Sequence, residues 1–290
     1  MPLRFQDEFL KKLEYLQVVS RREFAGRNRA DRRTPKRGRG IEFADHRQYS
    51  HGDDFRHIDW KAYKRVNRLL LRLFEEEQDL PIYLILDVSG SMAQPAKFDL
   101  ARQVAAALCY IGLVHLDRLT ILTFTRGLAH ESSPGRGTGR IFRVFELLER
   151  LEAAGPTDLR ESLKAFASRS RPVGLTVVIS DFLAPDGFDA GLKILRTLGH
   201  DVFAVHIASQ ADRDPVALGD VRFVDAETGE VRDADVTPRI AAAYGRAWDA
   251  HAAELQRFCA QYGMGYVRAD AERPFEEIVL QAFRQGRFLE

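Results

Sequence analysis

Leu84-Ile85-Leu86-Asp87-Val88-Ser89-Gly90-Ser91-Met92 decides how this 290-residue chain is read. Ile82–Leu86 is a run of large, mainly apolar residues, the pattern of a strand buried on both faces in a parallel sheet covered by helices. The polar end begins at once. Asp87, Ser89 and Ser91 offer one carboxylate and two hydroxyls in alternation, and Gly90 lets the backbone turn tightly between them. All three groups are hard oxygen donors of the kind that Mg²⁺ or Mn²⁺ takes. They stand just past the carboxyl end of a strand, where open α/β sheets bind ligands. Asp and Ser are also the commonest helix N-caps, so the alternative reading of Asp87 and Ser89 is a capping role for the helix that follows.

Working outward, Val177–Asp181 is a second apolar run that ends in a carboxylate, and Gly155-Pro156-Thr157-Asp158-Leu159 sets a hydroxyl in a turn before an amphipathic segment. Strand and helix patterns alternate along the whole body. Helices are expected over Ala96–His115, Ile141–Leu151, Asp158–Ser170 and Phe188–Leu198, and strands over Arg118–Thr125, Leu175–Ser180 and Asp201–Ala208. Gly127–Arg140 reads as a loop or short hairpin and Val221–Val231 as a hairpin. A long helix from Thr237 to about Gln261, a short strand Gly265–Ala269 and a closing helix from Pro274 complete the chain. The expected fold is α/β, a doubly wound and mainly parallel sheet. Leu69–Glu77 is expected to add an antiparallel strand to that sheet, next to Ile82–Leu86.

Asp87, Ser89 and Ser91 at a strand end, then Thr157 in a loop, then Asp181 at a later strand end resemble the metal-ion-dependent adhesion site of von Willebrand factor A domains. The match is complete residue by residue. The resemblance implies a Rossmann-like fold and a divalent cation, Mg²⁺ or Mn²⁺, held by the two Ser and the Thr directly and by the carboxylates directly or through water. It also implies one position left for an acidic residue of a partner protein, and hence binding in place of catalysis.

Upstream, Gly38–Arg65 contains Gly40-Ile41-Glu42-Phe43, Arg47-Gln48-Tyr49, Gly52-Asp53 and Arg56-His57-Ile58-Asp59-Trp60. This run resembles the signature of the DUF58 family, which precedes a von Willebrand A-like domain. The family's frequent neighbours, MoxR-type AAA+ ATPases, imply a co-chaperone or adaptor role. The interleaved charges suggest ion pairs of Glu42, Asp53 and Asp59 with Arg47 and Arg56.

Charge divides the chain. Residues 1–72 hold 19 Lys and Arg against 10 Asp and Glu, a net of +9, and the remainder holds 24 against 32, a net of −8. Residues 1–75 are read as a basic extension made of an amphipathic helix over 3–20, an Arg-rich loop and the edge strand; residues 76–290 are the von Willebrand A-like domain. Nine Lys and Arg within Arg21–Arg39 admit an alternative function, salt-dependent binding of nucleic acid or another anionic surface.

Other chemistries lack their parts. Gly-x-Ser-x-Gly is absent. An aspartyl phosphatase wants a second Asp two residues after the first, and Ser89 stands there instead. Gly135–Arg140 lacks the Gly-Lys-Ser/Thr ending of a phosphate loop. His46, His51 and His57 fit no zinc spacing. No enzyme activity is expected. Two cysteines, Cys109 and Cys259, imply no disulfide framework, and with neither signal peptide nor apolar stretch of about 18 residues the expectation is a cytoplasmic protein.

Overall fold

The computed structural model describes residues 5, 7–25, 42–50, 53–75, 81–114, 118–132, 135–214 and 218–285. In chain order the elements are α1 (Asp7–Ala25), β1 (Glu42–Gln48), α2 (Trp60–Val66), β2 (Leu70–Glu75), β3 (Pro81–Asp87), α3 (Pro95–Val114), β4 (Arg118–Phe124), β5 (Leu128–Glu131), α4 (Ile141–Arg150), α5 (Leu159–Ser168), β6 (Leu175–Ser180), α6 (Asp189–Thr197), β7 (Asp201–Ala208), α7 (Gln210–Arg213), β8 (Gly219–Val224), β9 (Val231–Val236), α8 (Pro238–Gln261), β10 (Gly265–Asp270) and α9 (Phe275–Gln285). They fall into two compact units, one of Met1–Glu23 with Leu80–Leu289 and one of Phe24–Asp79.

The larger unit is built on a six-stranded sheet in the order β10-β7-β6-β3-β4-β5. All pairings are parallel except β4 with β5. The expected doubly wound α/β sheet is therefore present. β3 is its centre, bonded to β4 on one side and β6 on the other, with Leu84 opposite both Ile121 and Val177. Because the chain leaves β3 for β4 and later returns to β6, the crossover direction reverses beside β3, which is where such sheets open a crevice at the strands' carboxyl ends. Every residue from Ile82 to Asp87 is buried, as is every residue of β6, which is why both strands are legible as apolar runs.

The described part of the stretch expected at Leu69–Glu77 does not add a strand to this sheet. β2 pairs antiparallel with β1 in a separate two-stranded sheet, Gln48 opposite Leu70. The physical reason is that both hydrogen-bonding edges of β3 are already taken by β4 and β6. α1, in contrast, buries Phe9, Leu13 and Leu16 within the larger unit, and the Phe9 ring packs against Phe5, Phe145 and Phe275. Complete burial is worth about 1.5 to 3 kcal/mol for each such side chain, so the stripe anchors the helix. The helix continues through Arg21–Ala25, residues expected to be loop; the rest of the Arg-rich segment lies outside the described residues.

In the smaller unit, Asp59 caps α2 by accepting from the Lys61 and Ala62 N–H groups and also lies 3.0 Å from His46 Nε2. Arg47 pairs with Asp53 at 2.7 Å as expected, whereas Arg56 pairs with Asp54. The side chains of Glu42, His51 and His57 lie outside the described set. Cys109 and Cys259 are free and buried, and burial pushes both thiols up, Cys259 to about 12.

Candidate functional site

Four loops meet at the carboxyl ends of β3 and β6. The first, after β3, carries Asp87, Ser89 and Ser91. Ser89 stands at the start of a 3-10 turn over Gly90–Met92, yet its side chain makes no capping bond, and its Oγ lies 3.1 Å from Ser91 Oγ. Asp87 does not cap α3 either. Its Oδ1 accepts from the Ser89 N–H at 3.0 Å and its Oδ2 from the Ser180 hydroxyl at 2.6 Å. The capping alternative for this motif is thus not realised by either side chain.

The second loop reaches the first through its backbone. The Gly90 N–H donates to Gly155 O at 2.6 Å and the Ala154 N–H to Val88 O at 2.9 Å. Gly155 holds φ +82°, the left-handed region that glycine enters at no cost. Asp158, not Thr157, caps α5, accepting from the Glu161 N–H at 2.8 Å. The Thr157 hydroxyl is left over: the residue is buried and its Oγ1 makes no hydrogen bond.

The third loop follows β6. Asp181 is 2 % exposed and accepts from the Leu183 N–H at 3.1 Å through Oδ1. Phe182 between them is buried at φ +56°, a conformation that costs a bulky residue about 1 to 3 kcal/mol and that clusters at functional sites. Its N–H donates to Ser180 Oγ at 2.9 Å, so Ser180 ties the third loop to Asp87.

The fourth loop is the β8–β9 turn. Glu227 Oε2 accepts from the Thr157 N–H at 2.8 Å, and its Oε1 is buried without a partner. A Cβ on Gly90 would lie 2.3 Å from Ala226 O, so only glycine lets the two backbones approach this closely.

Two charged residues at this site escape sequence reading. Lys97, in the first turn of α3, is fully buried; its Nζ donates to Asp181 Oδ2 at 2.7 Å and to Ser91 O at 3.0 Å, and lies 3.0 Å from Asp212 Oδ2. A signal exists, because Lys97 shares an i, i+4, i+7 stripe with buried Ala101 and Val104. A lysine on a core stripe needs a carboxylate. Glu227 has no local signal, since it reaches a residue 70 positions away.

Electrostatics follow from burial. Loss of solvent, and next the Asp181 carboxylate, push Asp87 well above the usual carboxylate range. Burial pulls Lys97 down, but Asp181 and Asp212 outweigh it and its pKa is raised. The site therefore carries more carboxylate than Lys97 alone balances.

The donors suit a hard cation: paired Ser hydroxyls, an unpartnered Thr hydroxyl and excess carboxylate. Asp181 is shared, since Lys97 already holds its Oδ2. Among the described residues no group of three or more His, Cys, Asp or Glu side chains is arranged to hold a metal ion. No helix among them is long and apolar enough to cross a membrane.

In sequence, the uncharacterized protein Rv1480 of Mycobacterium tuberculosis is 31% identical over 229 residues, which span 76% of this chain and 71% of that protein. A shorter Mycobacterium avium protein is 31% identical over 117 residues, spanning 40% of this chain and 69% of its own. Among solved structures, the conserved hypothetical protein BatB from Bacteroides thetaiotaomicron aligns with a TM-score of 0.44 at 14% identity, covering 71% of this chain and 97% of that one. A von Willebrand factor type A protein from Catenulispora acidiphila aligns with a TM-score of 0.41 at 13% identity, covering 76% of this chain and 44% of that one. The model of the family described as "Protein of unknown function DUF58" matches residues 45–254, more than two thirds of the sequence. The chain belongs to the DUF58 family.

Proposed function

We propose that this chain is a protein-binding adaptor that captures an acidic side chain of a partner through a divalent cation, Mg²⁺ or Mn²⁺, held by Asp87, Ser89, Ser91, Thr157 and Asp181. The observation that carries the reading is the buried Thr157 Oγ1, left without a hydrogen-bond partner in a loop that is tied through Gly155 to Gly90 of the Asp-x-Ser-x-Ser turn. A buried hydroxyl with no partner costs about 1 to 3 kcal/mol, and a cation removes that cost.

A bound divalent ion would supply the positive charge that joins two acidic groups. Within the chain, the Ser and Thr hydroxyls bring oxygen donors without added negative charge, which leaves the ion attractive to an incoming carboxylate. Asp87 is held in place by Ser89 N–H and Ser180 Oγ, so its orientation is set before any ligand arrives. Lys97 fixes Asp181 and joins it to the Ser91 backbone, coupling the first and third loops.

A MoxR-type AAA+ ATPase is the partner that the family resemblance suggests, and the role would be that of an adaptor or co-chaperone. Affinity capture with the full chain, in Mg²⁺ and in EDTA, tests this. The expected outcome is a MoxR-type ATPase retained only with Mg²⁺ and lost with Asp87→Ala. Retention in EDTA, or undiminished retention by the variant, would remove the proposal.

A further inference from the structure

The turn between β8 and β9 is shaped around one carboxylate. Asp225 Oδ1 accepts from the N–H groups of Glu227 at 2.9 Å and Thr228 at 2.7 Å, the Gly229 N–H donates to Asp225 O, and Gly229 takes φ +72°. This is an Asx-type turn with its glycine in the left-handed position, and it holds the Glu227 backbone in one conformation. From there Glu227 Oε2 meets the Thr157 N–H. Two oxygens at this contact, Glu227 Oε1 and Thr157 Oγ1, are buried and have no hydrogen-bond partner. Each of the two residues joined by this bond thus keeps one oxygen without a hydrogen-bond partner, and carboxylate and hydroxyl oxygens are the donors that a hard cation takes.

The arms of the hairpin are weakly held by comparison. Val224, Val231 and Phe223 are exposed, and of β9 only Val236 is buried. The tip, in contrast, presses so closely on the Asp-x-Ser-x-Ser turn that Gly90 has no room for a Cβ beside Ala226 O. An element with exposed arms and one seated tip opens locally at low cost.

We infer that Glu227 is an internal ligand for the cation of this site, so that the β8–β9 hairpin caps the site with the chain's own carboxylate and must swing away before a partner's acidic residue can take its place. The inference rests on the cation reading above and adds to it a residue and a regulatory step. It makes the resting chain self-occupied. The partner surface is then the crevice uncovered beneath the hairpin tip, and the partner's Asp or Glu competes with an intramolecular one, which raises the affinity the partner needs.

Glu227→Gln separates a ligand from a mere clamp, because the amide oxygen still accepts from the Thr157 N–H but the charge is gone. Mn²⁺ binding to the full-length chain is measured by calorimetry, and amide hydrogen exchange of residues 219–236 is followed with and without Mn²⁺. The wild type is expected to bind one Mn²⁺ and to slow exchange at the hairpin tip when it does. Glu227→Gln is expected to bind Mn²⁺ at least about tenfold more weakly, with no metal-dependent slowing at the tip. If wild type binds Mn²⁺ while Glu227→Gln matches its affinity within about twofold and its tip slows equally, the internal ligand is refuted and the cation site stands. If the wild type binds no Mn²⁺ at all, the cation site falls and the internal ligand falls with it.

Discussion

Lys97 Nζ lies 2.7 Å from Asp181 Oδ2 with both side chains almost wholly removed from solvent, so the carboxylate that follows β6 is held by a cation belonging to the chain itself. Desolvating both charges is expensive, and the pair repays it only because Ser91 O and Asp212 complete the ammonium's set of acceptors. Lys97→Met removes the ammonium but leaves two carboxylates facing one another. The expected loss in chemical denaturation is about 3 to 5 kcal/mol, with partial recovery in the double variant Lys97→Met/Asp181→Asn. A single variant as stable as wild type would mean that the ammonium is not part of this network.

Gly90 makes the closest backbone approach at the site. Gly90→Ala must displace either Ala226 O or the Gly155 loop, which a Cβ would meet at 2.3 and 3.2 Å. A Cβ on Gly127 would meet nothing within 4 Å. Thermal melts should therefore show Gly90→Ala destabilised by about 1 to 3 kcal/mol, as overpacked sites are, and Gly127→Ala within about 0.5 kcal/mol of wild type. Equal melting temperatures for the two variants would argue against the packed contact.

His206 sets one component of the acid stability. Burial holds its imidazole down at about 3, against the opposing pull of Asp181 and with Arg268, His251 and Lys97 adding to the shift; its Nδ1 lies 3.0 Å from Tyr266 Oη. The unfolded chain binds a proton there below about pH 6.5 and the folded chain does not, so this contribution is complete above that pH and is lost as the pH falls. Between about pH 7 and pH 4.5 the wild type should lose about 2 to 3 kcal/mol relative to His206→Gln in EDTA. A stability difference that stays flat over that interval would contradict the buried neutral imidazole.

Much of this architecture is legible in the sequence because burial on both faces writes an unmistakable run. Leu175–Ser180 and Asp201–Ala208 are strands over the very residues expected. The candidate site's first loop is legible for a different reason: Asp87, Ser89 and Ser91 alternate within one short stretch, and the donor types alone suggest a chemistry. What is hidden depends on distance along the chain. Leu70–Glu75 is a strand as its pattern says, but nothing local states that β1 is its partner and that β3 has no free edge. The stripe that Lys97 shares with Ala101 and Val104 says that it is buried but not that Asp181 is its partner, and Glu227 looks like an ordinary surface charge until the fold brings it to Thr157.

Mn²⁺ titration of the full-length wild type beside Asp87→Ala and Thr157→Ala is the most direct test of the central claim. One Mn²⁺ per chain for the wild type, none for Asp87→Ala and binding at least about tenfold weaker for Thr157→Ala is the predicted result. Binding that survives unchanged in both variants, or a wild type that takes up no Mn²⁺, would contradict it.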